Sequence, residues 1–167
     1  MCFCMAVAAV KAQSEYSAEY MHGFGKNFNE NSIGGRYEGF NGRNSLGLGI
    51  HYTFSSFGKG KENAGSNGWG IYADYHYAFG YGLSGNLFSG IRASFTFSKD
   101  RKGENYSAWT PSLQFGYHYT AQDFGKGGAF TSFVALGYDV KLNSAGKVKD
   151  NHEGVVLLPG ITVGYRF

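Results

Sequence analysis

Cysteine, proline and long apolar runs are what this sequence lacks. Its 167 residues include 2 cysteines and 2 prolines. Both cysteines, Cys2 and Cys4, fall in the first stretch, so the rest of the chain offers no thiol for a disulfide, a metal site or sulfur nucleophile. No cofactor or metal is expected. No run approaches the ~18 apolar residues that a membrane-spanning helix needs. That excludes a helical membrane protein but not a membrane barrel, whose lumen-facing residues dilute the hydropathy of each strand. Charge is sparse as well: charged residues make up 16% of the chain and the net charge is +3. With no basic helix or recognisable binding motif, nucleic acid is not an expected partner.

What is abundant is glycine, 27 residues, and aromatic side chains, 18%. Glycine with tyrosine and phenylalanine, and little proline, favours strands joined by turns. Residues 1–12, MCFCMAVAAVKA, stand apart. A short apolar run is followed by Val10-Lys11-Ala12, with small or apolar residues where a signal peptidase reads them. The expectation is the tail of a secretory signal, 1–12, ahead of one domain, 13–167.

Period-two alternation then marks eight strands, expected at Tyr16–Phe24, Ile33–Phe40, Leu46–Phe54, Trp69–Phe79, Leu87–Phe97, Ala108–Thr120, Ala129–Lys141 and Val155–Phe167. Asn41-Gly42-Arg43-Asn44 reads as a tight turn. Connections after the second, fourth and sixth strands read as short, and those after the third, fifth and seventh as long and polar. Outer-membrane barrels have this asymmetry, with short periplasmic turns and longer outer loops. An even strand count then puts both termini on the periplasmic side. Pro111 and Pro159 fall inside expected strands, and a bulge or register break is expected at each, because proline cannot donate to the ladder.

The final stretch, VVLLPGITVGYRF, has an apolar residue at every second position and ends in Tyr165-Arg166-Phe167. The ending Gly164-Tyr165-Arg166-Phe167 resembles the C-terminal strand of bacterial outer-membrane β-barrels, especially the small eight-stranded ones: the OmpA transmembrane domain and the OmpX/Ail group. The resemblance implies an all-β fold, an eight-stranded antiparallel up-and-down transmembrane barrel in the bacterial outer membrane. It also implies that Tyr165 and Phe167 are an insertion signal read by the barrel assembly machinery.

The two faces fit that fold. One carries Leu48, Ile50, Ile71, Ile91, Leu113 and Leu136, with aromatics such as Trp69, Phe97, Trp109, Tyr77 and Tyr119 toward the strand ends, as in the aromatic girdles of such barrels. The other is small and polar, with Gly47, Gly49, His51, Gly70, His76, Gln114 and His118. Its charges match in sign: Glu19, Glu38, Asp74 and Asp139 against Arg36, Arg92, Lys141 and Arg166. They are expected to form a polar network in a narrow lumen, because buried charges must pair.

No HExxH, CxxC or GxSxG spacing is present. Ser112 and His118 share a strand but lie six residues, about 20 Å, apart, so proton transfer between them is not expected. The expected function is therefore non-enzymatic, structural or in surface interaction through long outer loops. A narrow porin-like pore for ions or small solutes is the alternative, and a lipid-modifying barrel enzyme a lesser one. Expected partners are outer-membrane lipid and lipopolysaccharide, the barrel assembly machinery, and a host or envelope protein ligand. Phe57, Lys59, Lys61, Lys99, Arg101 and Lys102 are the candidate loop contacts.

Overall fold

The computed structural model describes residues 13–25, 28–55, 67–81, 85–99, 105–121, 127–143 and 148–167. They form eight strands: β1 (Gln13–Gly25), β2 (Phe28–Asn41), β3 (Asn44–Ser55), β4 (Asn67–Tyr81), β5 (Gly85–Lys99), β6 (Asn105–Thr120), β7 (Gly128–Asn143) and β8 (Val148–Arg166). Each pairs antiparallel with its sequence neighbours, and β1 pairs with β8, so the sheet is a closed barrel. Closure satisfies every strand edge, which hydrocarbon could not do. The seam is tied at its end: Phe167 N donates to Ser14 O at 2.9 Å, and Ser14 N donates to Phe167 O at 3.1 Å.

The alternation read from the sequence sets the two faces. Leu113 is 65% exposed and Ile71 59%, both facing outward, while Asp74 and Arg92 are 3% exposed, facing the lumen. Such an outer surface is stable only against an apolar medium. The tight turn is present as expected: Asn41 pairs with Asn44, and Gly42 sits at φ 61°, where a Cβ is unfavourable.

Strand ends differ from expectation on the side away from the termini. β8 has 19 residues and starts at Val148, within what read as a loop, and β2 starts at Phe28. A strand needs only about 9–11 residues to cross the hydrocarbon. The extra rungs stand beyond it, where no apolar outer face is required and the alternation signal fades. The connections 100–104 and 144–147 are therefore short, and 56–66 is the longest; all three lie outside the described residues.

The prolines also differ. The register runs unchanged past both, and neither carries a bulge. Pairing instead skips Thr110 and Pro111 against β7, and His22 and Gly23 against Leu158 and Pro159. In an antiparallel strand a residue's N–H and C=O point to the same neighbour. Proline thus removes a bond from one ladder and leaves the other intact. The register shifts fall elsewhere, at Ala78/Gly80 and at Val140/Leu142.

Candidate functional site: a lumen filled by ion pairs

The lumen is lined by one phase of every strand, and its middle is a cluster of five charges. Arg92 on β5 holds Glu19 on β1 with both terminal nitrogens, Nη1 to Oε1 at 2.8 Å and Nη2 to Oε2 at 2.7 Å. In a ring of eight strands β5 lies diametrically opposite β1, so this fork spans the lumen from wall to wall. Arg92 Nη2 also donates to Asp74 Oδ2 at 2.9 Å. The other oxygen of Asp74 accepts from Arg36 Nη2 at 2.9 Å, and Arg36 Nη1 reaches Glu38 Oε2 at 2.7 Å. Each guanidinium is thus shared between two carboxylates. This sharing offsets much of the desolvation penalty of charges in a low dielectric, and Arg36 Nε is the atom of the cluster left without a hydrogen-bond partner among the described residues.

Aromatic rings, an imidazole and an amide fill the rest of this level. The Arg92 guanidinium lies 4.0 Å from the Tyr72 ring centroid, a cation–π contact. His76 joins Glu38 Oε1 at 3.1 Å to Gln114 Oε1 at 2.6 Å. Glycine makes room for these side chains. A Cβ on Gly47 would collide with Asp74 Oδ1 and lie 2.9 Å from the Arg36 guanidinium.

Toward the termini, Arg166 turns inward between Tyr165 and Phe167. It reaches Glu15 Oε2 at 3.2 Å and His118 Nε2, and its guanidinium lies 3.7 Å from the Phe40 ring centroid. Toward the other end, Lys141 Nζ lies 3.5 Å from Glu30 Oε1 and 3.9 Å from Asp139 Oδ2, while Thr110 donates to Asp139 Oδ1 at 2.7 Å. That last bond bridges the rungs missing beside Pro111.

The structure therefore brings Glu19, Arg36, Glu38, Asp74 and Arg92 together, and sets Asp139 with Lys141, and Arg166, in separate layers. Glu15 and Glu30 complete those layers but were not among the expected charges. Both keep the inward phase of their strands, yet they lie just outside the strand limits drawn from the sequence. Tyr72, Phe88 and Phe133, 4%, 4% and 8% exposed, are lumen aromatics that phase alone could have flagged. Tyr165 and Phe167 face outward, 50% and 49% exposed, with the Phe167 ring stacked 5.5 Å from that of Tyr16. Lys99, at the end of β5, is exposed; Phe57, Lys59, Lys61, Arg101 and Lys102 lie outside the described residues.

A catalytic grouping does not assemble around Ser112 and His118. His118 Nδ1 is bonded to Thr131 Oγ1 at 2.6 Å, and the other ring nitrogen faces Arg166. Among the described residues no group of three or more metal-ligating side chains comes together.

No family model matches the sequence, and no curated protein matches it. Solved structures do. Neisserial surface protein A aligns over 94% of this chain and 96% of its own, at 12% identity and TM-score 0.64. Ail, the attachment invasion locus protein of Yersinia pestis, aligns in its complex with the heparin analogue sucrose octasulfate over 93% of this chain and 99% of its own, at 16% identity and TM-score 0.53. Without that ligand the TM-score is 0.51 and the identity 13%, over 93% and 99% of the two chains. The chain has the fold of the small eight-stranded outer-membrane barrels.

Proposed function

We propose, from a barrel fold shared with bacterial surface proteins, that this chain is a non-enzymatic integral protein of a bacterial outer membrane, acting structurally or in surface interaction. One observation carries the reading: the barrel is apolar outside and charged inside. Large hydrophobic side chains such as Leu48, Ile91 and Val163 stand 57%, 57% and 59% exposed around the outer wall. In water such a wall would aggregate; in a bilayer it is the required surface. Strand connectivity supports both termini on the periplasmic side, with 56–66 facing outward. Residues 1–12 act in this reading as an export signal, and Tyr165 and Phe167 as the element the assembly machinery reads.

The lumen geometry disfavours the pore alternative. Arg92 and Glu19 bridge opposite walls and Arg36, Asp74 and His76 fill the same level, so a solute would have to displace paired charges. The remaining interaction surface is the outer end, with Phe57, Lys59, Lys61, Lys99, Arg101 and Lys102. Basic side chains there suit polyanions, in line with the sulfated sugar held by Ail.

The test is expression in a Gram-negative host with its own signal. The expected result is recovery with the outer-membrane fraction, a gel mobility that changes on boiling, and cleavage by external protease within 56–66. A chain found in the soluble fraction, or with the same mobility before and after boiling, would overturn the reading. Sulfated-polysaccharide capture by intact cells, abolished by reversing Lys59, Lys61, Arg101 and Lys102, tests the polyanion surface.

A further inference from the structure

Arg92 is the hub of the lumen, and each of the five N–H groups of its guanidinium is engaged. Nε donates to Asp74 Oδ2 at 3.2 Å. The two on Nη2 go to Asp74 Oδ2 at 2.9 Å and Glu19 Oε2 at 2.7 Å. One on Nη1 goes to Glu19 Oε1 at 2.8 Å, and the other to Met21 Sδ at 3.7 Å. Four of these bonds end on carboxylate oxygen and the fifth on a thioether, a weak acceptor. In the unfolded chain that N–H would bond to water, so burying it against sulfur costs part of a hydrogen bond.

The sulfur also has room beside it. Met21 keeps the inward phase of β1 and packs, partly buried, against Ala135, Val156 and Leu158. It lines a cavity of about 50 Å³ on the loop side of Arg92, whose walls include Thr53, Thr96, Thr110 and Ser112. A water needs about 10–15 Å³ on the same measure, so the space admits hydrogen peroxide, a molecule little larger than water. The wall is polar as well: Ser112 Oγ and His51 Nδ1, both on residues that line the cavity, have no hydrogen-bond partner among the described residues. Met21 is the one methionine outside residues 1–12, and no cysteine there competes for oxidant.

We propose that Met21 is an oxidation site whose sulfoxide strengthens the Arg92–Glu19 bridge. The oxidant is a peroxide. Sulfur attacks one peroxide oxygen, the O–O bond breaks and the S–O bond forms. The proton on the transferred oxygen passes to the departing one, which leaves as water. Sulfur is oxidised by two electrons and the peroxide reduced by two. The new oxygen accepts from Arg92 Nη1 in place of the thioether, while the flexible side chain lets the sulfur draw back toward the cavity.

The sign of the effect is unusual. A methionine sulfoxide ordinarily disrupts a core, because it puts a polar oxygen into an apolar site. Here the oxygen enters beside a cation that has four oxygen bonds and lacks a fifth. A hydrogen bond to a charged group is stronger than one between neutral groups, so oxidation stabilises the barrel. The sulfoxide is reversible by dedicated reductases, which are proteins too large to enter the lumen.

The full chain is folded in phospholipid vesicles and treated with hydrogen peroxide. Mass spectrometry of the peptide carrying Met21 should show the gain of one oxygen in the folded barrel. Urea unfolding, followed by tryptophan emission, should then give an unfolding equilibrium constant about fivefold smaller than before treatment, the worth of one hydrogen bond. Met21→Gln, which places an amide oxygen at the same reach, should show the same fall without peroxide. Met21→Leu should gain no oxygen in that peptide and keep its stability through the treatment. In the double variant Arg92→Met, Glu19→Gln the guanidinium is gone, and oxidation of Met21 should destabilise the barrel as at an ordinary core methionine. A Met21 that gains oxygen only after the chain is unfolded in urea overturns the site. An oxidised barrel no more stable than the untreated one overturns the role of Arg92, as does an equal gain in stability in the double variant. A peroxide-dependent shift in Met21→Leu places the effect at another residue and overturns the proposal as well.

Discussion

Replacing Arg92 with methionine tests how the lumen is held together. Glu19 is 3% exposed, and both of its carboxylate oxygens are bonded to Arg92, at 2.8 and 2.7 Å. Asp74 would keep Arg36 at 2.9 Å, so the variant strands one carboxylate, Glu19. Removing one partner of a buried pair costs about 3–5 kcal/mol. At a urea slope of about 2 kcal/mol/M this moves the unfolding midpoint down by about 2 M. Glu19→Gln added to Arg92→Met removes the stranded charge and should recover at least about half of the loss, as in a double-mutant cycle of coupled residues. The measurement is urea unfolding in phospholipid vesicles, followed by the emission of Trp69 and Trp109, which face outward at 63% and 48% exposure. A loss under about 1 kcal/mol for Arg92→Met, the size of an exposed pair, would show that these charges are solvated and that the lumen is wet. No recovery in the double variant would show that the loss comes from packing on Tyr72 rather than from charge.

Four further outcomes are expected. Ile161→Arg, on the outward face of β8 near the bilayer midplane, should destabilise the barrel in vesicles by about 2–4 kcal/mol, and an unchanged folded fraction would show that this strand does not face lipid there. Phe167→Asp should lower the folded outer-membrane fraction more than the same change at Phe57, compared by the mobility of unboiled samples. Gly47→Val should lower the unfolding free energy read from urea titration by about 1–3 kcal/mol, through overpacking against Asp74 and Arg36, whereas Gly35→Val, which has open space at its Cβ, should fold as wild type. Wild-type protein in planar bilayers should give no steady unit conductance, and a stable single-channel step would show a path past the Arg92–Glu19 bridge.

The strand count and the two faces were legible because alternation is a local property. Burial on one side and lipid on the other impose the same period on every strand, and Leu46 to Phe54 shows it without a break. Strand ends were not legible where the barrel rises out of the membrane: from Val148 to Gly154 neither face must be apolar, so the pattern carries no signal. Matched signs in the lumen could be read, but not who meets whom. Arg92 neighbours Asp74 across one ladder, which a hairpin count anticipates. Its fork on Glu19 depends on the curvature that brings β1 to face β5.

The Arg92–Glu19 bridge also constrains how the barrel can be made. Its two residues are 73 positions apart in sequence, and five strands must be laid down and curled before they can touch. Pairing at such a separation forms late, because the closure entropy of the intervening chain must be overcome first. Until then Arg92, Glu19, Arg36 and Asp74 would face whatever surrounds an open sheet, and a lone charge in the bilayer interior is strongly unfavourable. Adding strands one at a time into bare lipid is therefore a poor route for this sequence. The kinetically favourable route curls the sheet at the water interface first, so that the charges find each other before the hydrocarbon closes around the outer wall.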